Sequence, residues 1–415
     1  MQRFLFCLII MATGCQSKFE YVPERDFKNI EKSLITQFIS AKDSSVIQLE
    51  EGHFVFSTEL ILEGKNHITI KGKGIDKTVL SWKGQKSGAE GILVKNCSHI
   101  VFEDLTVEDA LGDNIKVNDT ENITFRRIKS GWTGEVDSTN GAYGLYPVIC
   151  KNVLIENCEV MGASDAGIYV GQSENVVIRN NKVWWNVAGI ESENSENVAI
   201  YNNEAFNNTG GILVFDLPGL TRYGKNIEVR DNKCYENNFK NFAPKGNIVA
   251  SVPPGTGIMI LATQNVKVFN NEIKHNRTVN SAIVSYVLVA AMSAENNTRN
   301  NEGSAQRVNN NYKLDTLYNP YPQKIYFSQN SFENHFWITD LGNDFGKLFM
   351  IKFGFSRPDI IWDGIRSDKY YLSDKKVNPE AQICVDENEK IISADLDAAN
   401  DFKNIQLNPN EFKCN

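Results

Sequence analysis

Long apolar runs are scarce in this chain of 415 residues. The first, Phe4 to Met11, is too short to cross a bilayer, which takes about 20 residues as a helix. The next, Ala282 to Met292, is short and contains Ser285 and Tyr286. No membrane-spanning helix is therefore expected beyond the N-terminal segment. Basic residues are also in deficit: 43 Lys and Arg stand against 51 Asp and Glu, for a formal charge of −8. A nucleic-acid partner needs a basic face for its phosphates, so none is expected. Neither Cys-x-x-Cys nor Cys-x-x-Cys-His occurs, which leaves no zinc ribbon and no haem attachment of that type. The five His are scattered. A chain this long can bury a large core without covalent staples.

What the N-terminus does contain is an ordered set of signals. Arg3 precedes the apolar run, and Ala12, Thr13 and Gly14 precede Cys15. Charge, apolar core and small residues in that order describe an export signal rather than a folded element. A Cys directly after the small residues resembles a bacterial lipobox, although Ala12 stands where Leu is commoner. The resemblance implies cleavage before Cys15 and acylation of it, hence an exported cell-envelope lipoprotein. Gln16 points by the sorting rule of such proteins to the outer membrane, with periplasmic and surface-facing display both open. With Cys7 and Cys15 set aside, six of the eight cysteines remain. Cys384 and Cys414 lie near the chain end; a disulfide and two separate buried thiols are both open.

The dominant feature is a repeat. A polar residue, often Asn, leads two apolar residues that flank a third: His67-Ile68-Thr69-Ile70, His99-Ile100-Val101-Phe102, Asn122-Ile123-Thr124-Phe125, Asn152-Val153-Leu154-Ile155, Asn175-Val176-Val177-Ile178, Asn197-Val198-Ala199-Ile200, Asn226-Ile227-Glu228-Val229 and Asn265-Val266-Lys267-Val268. From 99 onward the leads differ by 23, 30, 23, 22, 29 and 39 residues, a base period of 22 to 23 with insertions. The alternation is that of a strand, and each phrase is too short for a helix. Such a coil buries its apolar face only by stacking on its neighbours at the ~4.8 Å strand spacing. Asn181, Asn203, Asn232 and Asn271 form a second column six places on, read as left-handed turn residues able to ladder. A second strand then follows, as in Asn114-Ile115-Lys116-Val117, Gly167-Ile168-Tyr169-Val170, Gly189-Ile190-Glu191-Ser192, Gly211-Ile212-Leu213-Val214 and Gly257-Ile258-Met259-Ile260. Cys97 and Cys150 share a small-residue column with Ser173 and Ser195, Cys158 starts the Asn column, and Cys234 matches Val183 in the core; all four read as structural.

These phrases resemble the right-handed parallel β-helix repeat family, a pectate-lyase-like solenoid. The resemblance implies an all-β fold with an N-terminal capping helix and an irregular C-terminal cap. The expected layout is a signal over 1–15, a linker and capping helix over 16–41, the β-helix over 42–340 and a cap over 341–415. Phe27, Ile30, Leu34 and Phe38 fall on one helical face and would cover the first coil, which begins near Ile47. Trp337, Phe345, Phe349, Phe353, Phe355 and Trp362 would plug the last one. The fold hosts lyases, galacturonases, epimerases, tail spikes and a maturation protein for nitrous oxide reductase, so it leaves function open.

Insertions place a candidate site. Residues 132–142 and 239–255 lengthen one turn before the second strand, and 216–222 lengthen the turn after it, so loops are expected to wall a groove over the second-strand sheet. By alternation its floor is the outward column Lys116, Tyr146, Tyr169, Glu191 and Leu213. Lys116, Tyr169 and Glu191 are candidate acid–base groups, with Lys116 or Tyr169 as the base that takes the proton beside a uronate carboxylate and Arg222 or Lys225 neutralising charge. Trp132, Tyr143 and Tyr146 would contact sugar; Trp132 and Tyr143 could equally pin the loop. Glu135, Asp137 and Asp165 are candidate oxygen ligands for calcium. A mixed polar column is also what any outward β-helix face carries. The expected partner is thus a polysaccharide, most simply an acidic one processed by a lyase- or epimerase-like reaction. The alternatives are a non-catalytic envelope accessory protein acting on another envelope protein, and an adhesive or structural solenoid. Galacturonase-type Asp-x-Asp or Asp-Asp pairs do not occur between 100 and 270, nor does the Asp-Pro-His-Asp run of mannuronan epimerases.

Overall fold

Every lead phrase forms a strand, and each strand pairs in parallel with the copy one coil away. In the computed structural model, which describes residues 25–294, 308–334, 338–373, 377–387 and 390–414, Val176 and Ile178 stand beside Val198 and Ile200, which in turn stand beside Ile227 and Val229. All six are buried, while Ala199 between them is not. Cys7, Cys15, Gln16 and Trp337 lie outside the described residues.

A coil has three strands rather than the two expected. The lead strand Glu174–Arg179 and a short strand Lys182–Trp184 belong to one sheet, and Ala188–Glu193 belongs to another. Among the described residues the first sheet has 20 strands and the second 12. The fold is a right-handed parallel β-helix, with its core between the sheets.

Asparagine shapes the corners, with one correction to the sequence reading. The left-handed residues are the leads, such as Asn175 at φ 57° and Asn197 at φ 56°, and the residues just before the inner column, Asn180 and Asn202. The inner column itself is a buried amide ladder. Asn181 Nδ2 donates to Asn203 Oδ1, and Asn203 to Asn232, each at 3.0 Å. A second buried ladder, Asn186 to Asn208 to Asn237 to Asn276, lies five places further on and was not anticipated. Both ladders satisfy the backbone groups of turns that the sheets leave unpaired. Between them and the next strand the coils approach closely: a Cβ on Gly189 would lie 2.6 Å from the Gly211 carbonyl oxygen, so glycine is required there. The cysteine assignments hold. The Cys150 N–H donates to Ser173 Oγ at 3.0 Å, and burial pushes the Cys150, Cys158 and Cys234 thiols up to about 12.

Helix α1 (Glu31–Ser40) covers the first coil with Leu34 and Phe38. Phe27 does not join that face; it sits in a two-residue strand against His53 and Phe54 and is 37% exposed. At the other end coil pairing continues past residue 340. Ile383–Asp386 adds to the twenty-strand sheet, and Ile360–Trp362 then Ser393–Asp395 add to the twelve-strand sheet. Trp362 packs on Phe412 at the end of the core. Helices α2 (Tyr286–Ala294) and α3 (Asp344–Phe353) lie outside the coil. Phe345, Phe349 and Phe353 of α3 therefore cover the outer face of the last coils instead of plugging them, and Phe355 is exposed. Cys384 and Cys414 form a disulfide with Cα atoms 5.0 Å apart.

Candidate functional site

The outward column of the twelve-strand sheet has the expected register. Lys116 stands beside Tyr146, Glu191 beside Tyr169, and Leu213 beside Glu191. It does not, however, line an open groove. Tyr146 is 8% exposed, Tyr169 2%, Glu191 1% and Leu213 0%. The insertions close over the face because they carry apolar side chains of their own: Val136, Leu217, Phe242, Val249 and Val252 pack with Leu213, Tyr143 and Tyr169, and Tyr286 of α2 joins them. What alternation marks as a floor is the lower half of a second apolar core.

Acidic and phenolic groups are set into that core. Glu191 and Glu193 are two apart on one strand, so both point outward, and Gly171 stands beside Glu193. The missing side chain at Gly171 leaves room for the Tyr169 ring, whose hydroxyl a Cβ there would approach to 2.5 Å. Tyr169 thus donates its O–H to Glu193 Oε1 at 2.6 Å. Tyr143 is near enough to Asp165 to draw its carboxyl down against burial, and its ring lies 4.4 Å from that of Tyr146 and 4.6 Å from that of Tyr169. Lys116 Nζ donates to Glu90 at 3.1 Å, is 3.7 Å from Asp113 Oδ2, and sits 5.1 Å from the Tyr146 ring centre. Glu191 Oε2 and Asp113 Oδ1 are buried without a hydrogen-bond partner.

Burial controls the proton affinities. Desolvation holds Asp113 up at about 7 against the pull of Lys116. It does the same for Glu193, also about 7, with the Tyr169 hydroxyl working in the opposite sense. Glu191 is raised by burial and then by Asp165 and Glu193; Asp165 is raised by burial and then by Glu193. Burial also raises the Tyr143, Tyr146 and Tyr169 phenols. Carboxyl groups that exchange a proton near neutrality can act as acid or base at one place.

Other candidates lie elsewhere. Trp132 is buried and its indole N–H donates to the Ala110 carbonyl at 2.8 Å, so it pins its loop. Arg222 pairs with Glu174 at 3.6 Å and Lys225 with Glu196 at 3.1 Å, both at the start of lead strands, so neither joins the acidic cluster. Glu135 is exposed, and Asp137 accepts from Thr139 within its own turn. Among the described residues no three His, Cys, Asp or Glu side chains are grouped to hold a metal ion. Three members of the site were missed or misassigned. Glu193 follows from the same alternation as Glu191. Asp165 was weighed only as a calcium ligand. Asp113 precedes its strand at a corner, where strict alternation gives no face. A shallow groove of about 490 Å³ also crosses the twenty-strand sheet, but its Asn175, Asn197, Asn226 and Asn265 hydrogen-bond one another.

Residues 60–219 match the family model described as the right handed beta helix region. Similar solved structures include the A-module of a mannuronan C-5 epimerase from Azotobacter vinelandii, 13% identical, with a TM-score of 0.47 and covering 74% of this chain and 90% of that one. An alginate lyase from Paenibacillus is also 13% identical, with a TM-score of 0.42 and coverage of 74% and 95%. A DFA-IIIase from Arthrobacter chlorophenolicus is 11% identical, with a TM-score of 0.48 and coverage of 87% and 95%. No curated protein sequence matches. These likenesses say nothing of residues or chemistry. The repeat, the coil-on-coil pairing and the match over residues 60–219 together make this protein a right-handed parallel β-helix.

Proposed function

We propose that this protein processes a polysaccharide by acid–base chemistry at the carboxyl–tyrosine cluster outside the twelve-strand sheet. The observation that carries the reading is the 2.6 Å Tyr169–Glu193 hydrogen bond beside the buried Glu191 carboxyl, whose Oε2 has no hydrogen-bond partner. A fold gains nothing in stability from several carboxyls buried together, since each ionised form is poorly solvated there. Groups perturbed by burial and by one another in this way are candidates for a functional site. In the proposed reaction Glu193, relayed through the Tyr169 hydroxyl, takes a proton from the sugar. Glu191, whose proton affinity is raised by burial and then by Asp165 and Glu193, returns one or hydrogen-bonds the developing negative charge. Lys116 at the edge orients the substrate. That division of roles suits a lyase- or epimerase-like step, and neutral carboxyls leave an acidic glycan admissible.

Incubation of the purified protein with alginate, pectate and a neutral glucan tests this, read by unsaturated-uronate absorbance and by proton NMR of the sugar. Tyr169→Phe and Glu191→Gln should lower turnover by about 10²–10⁴-fold with little change in melting temperature. Full activity in both variants would sink the assignment. The covering roof favours one other reading, a non-catalytic envelope accessory or adhesive solenoid; binding of no glycan by calorimetry would support it. We also infer export and a lipid anchor at Cys15 from the charge, apolar and small-residue order before it. Cys15→Ser should abolish labelling by radioactive fatty acid and release the protein from membranes; retained label would overturn it.

A further inference from the structure

The asparagine row on the open face of the twenty-strand sheet differs from the buried ladders in what it leaves unused. Asn152 Nδ2 donates to Asn122 Oδ1, Asn175 to Asn152, Asn197 to Asn175, Asn226 to Asn197 and Asn265 to Asn226. Every bond runs from a later coil to an earlier one, so each amide is held in one orientation. An amide has two N–H donors and acceptor room for two bonds. In the buried ladder the second N–H is consumed as well: Asn181, Asn203 and Asn232 give it to the Ile155, Ile178 and Ile200 carbonyls. In the open row Asn152, Asn175, Asn197 and Asn226 each give one N–H and accept one. Among the described residues the other N–H and the other lone pair of each have no protein partner. The row therefore presents the same donor and acceptor once per coil, on side chains already ordered by their neighbours.

The row also borders an open groove. Its 490 Å³ lie over Val177 and Ala199, from Asn175 to Asn265. A further hollow of 330 Å³ shares Asn226 and Asn265 and is bounded by Tyr370 and Glu380 of the C-terminal segment. The cations along this stretch are matched: Lys225 with Glu196 at 3.1 Å, Lys267 with Glu228 at 3.9 Å and Lys324 with Glu380 at 2.5 Å. An anionic polymer would find no unpaired charge in that set. We infer that this face binds an uncharged, extended, linear glycan laid along the solenoid axis, at a site separate from the acidic cluster and independent of the acid–base reading. A sugar hydroxyl both donates and accepts, which is what each amide of the row offers. One coil advances ~4.8 Å, close to the length of one unit in an extended β-1,4-linked chain, so successive units meet successive amides. An extended peptide laid the same way repeats its like-facing residues at about 6.6 Å and falls out of step. Val177 and Ala199 give the C–H edges of the rings an apolar floor. From Asn122 to Asn265 is five coils, about 24 Å, room for roughly five units.

The test titrates the full chain, by calorimetry, with linear hexamers of β-1,4-linked glucose and of β-1,4-linked mannose. At least one should bind, with an affinity that rises from its trimer to its hexamer as more coils are engaged. Asn197 and Asn226 stand at φ 56° and 60°, a backbone that glycine adopts freely, so Asn197→Gly and Asn226→Gly remove the amide and spare the turn. Each should weaken hexamer binding about threefold to tenfold. Asn197→Asp, which keeps the turn and loses the donors, should do the same and serves if a glycine variant melts early. No heat from either hexamer overturns the inference. Equal affinity in wild type and variants places the glycan elsewhere and overturns it too. A dimer seen by light scattering and lost in the same variants would make the face an interface between copies of this chain, which also overturns it. Turnover in Tyr169→Phe and Glu191→Gln reads the other sheet, so either reading can fail while the other stands.

Discussion

The two sheets of this solenoid are built from the same repeat, yet their outer faces could hardly differ more. Outside the twenty-strand sheet, Val177, Ala199 and Glu228 stand partly exposed in one column, flanked by an exposed row of hydrogen-bonded asparagines. Among the described residues no insertion covers that column, and its side chains are the small or solvated ones such a surface tolerates. Outside the twelve-strand sheet, strands such as Ala166–Gly171, Ala188–Glu193 and Gly210–Phe215 are buried at every residue. A strand buried on both faces ordinarily reads as a continuous apolar run. Here the run is interrupted by Tyr169, Glu191 and Glu193, and those interruptions are the chemistry. The difference teaches that a polar residue in an outward column has two meanings, and only the covering loops decide between them.

That contrast is broken most directly by placing the same substitution on both faces. Leu213→Asp puts an unpaired charge into the outer apolar cluster and should destabilise by several kcal/mol, about 4, or prevent folding. Ala199→Asp, equally outward but on the open face, should change stability by less than about 1 kcal/mol. Similar thermal melts for the two would mean that the roof is not packed as described.

Proton linkage gives the next effect. Asp113 and Glu193 bind a proton more tightly folded than unfolded, with folded values of about 7. Stability from this source is full below the ordinary carboxylate range near pH 4 and is lost as pH rises through about 7. Asp104 and Glu156, paired with Arg127, Arg126 and Arg179, are shifted the other way and contribute an opposite slope on the open face. The informative quantity is thus the difference between wild type and Glu193→Gln. The variant should lose less stability between pH 4 and pH 7 and melt at the higher temperature above pH 7. Parallel pH profiles would contradict a protonated Glu193.

The smallest contrast is between asparagine ladders. Asn203→Ala removes the acceptor of the Asn181 backbone N–H and side-chain amide, the donor to the Ile178 carbonyl and one of the donors to Asn232 Oδ1, and should cost about 1–3 kcal/mol. Asn197→Ala, in the exposed row, loses bonds that water replaces, and should cost a few tenths to about 1 kcal/mol in chemical denaturation. Equal losses would show that left-handed lead residues, rather than burial, set the value of an asparagine here.

The coil was legible because stacking leaves period and alternation in the sequence: Val176, Ile178, Val198 and Ile200 are where that rule puts them. The candidate column was legible for the same reason. Its cover was not, because the rule describes the sheet and not what lies over it, although Phe239, Phe242, Val249 and Val252 within an insertion are an apolar pattern that marks a packed segment rather than a wetted wall. Lys225 was misplaced because it begins a strand of the other sheet, and Arg222 because it turns from the loop before that strand to Glu174. Tyr143 and Asp113 stand at corners, where alternation lapses. The third strand was hidden by its length of three residues, as in Lys182–Trp184.

The disulfide between Cys384 and Cys414 bears on the order in which the molecule comes apart. Each coil touches only its neighbours, so a solenoid frays from its ends inward. The first coil is held by non-covalent contacts, the packing of α1 and the short strand at Phe27, whereas one of the last coils is tied covalently through Cys384 to Cys414. With the bond intact, unravelling should begin at the N-terminal coils, and the C-terminal coils should be the last to let go. Reduction removes that bias, so hydrogen exchange in the strands at 325–328 and 383–386 should quicken while exchange near Ile47 stays unchanged.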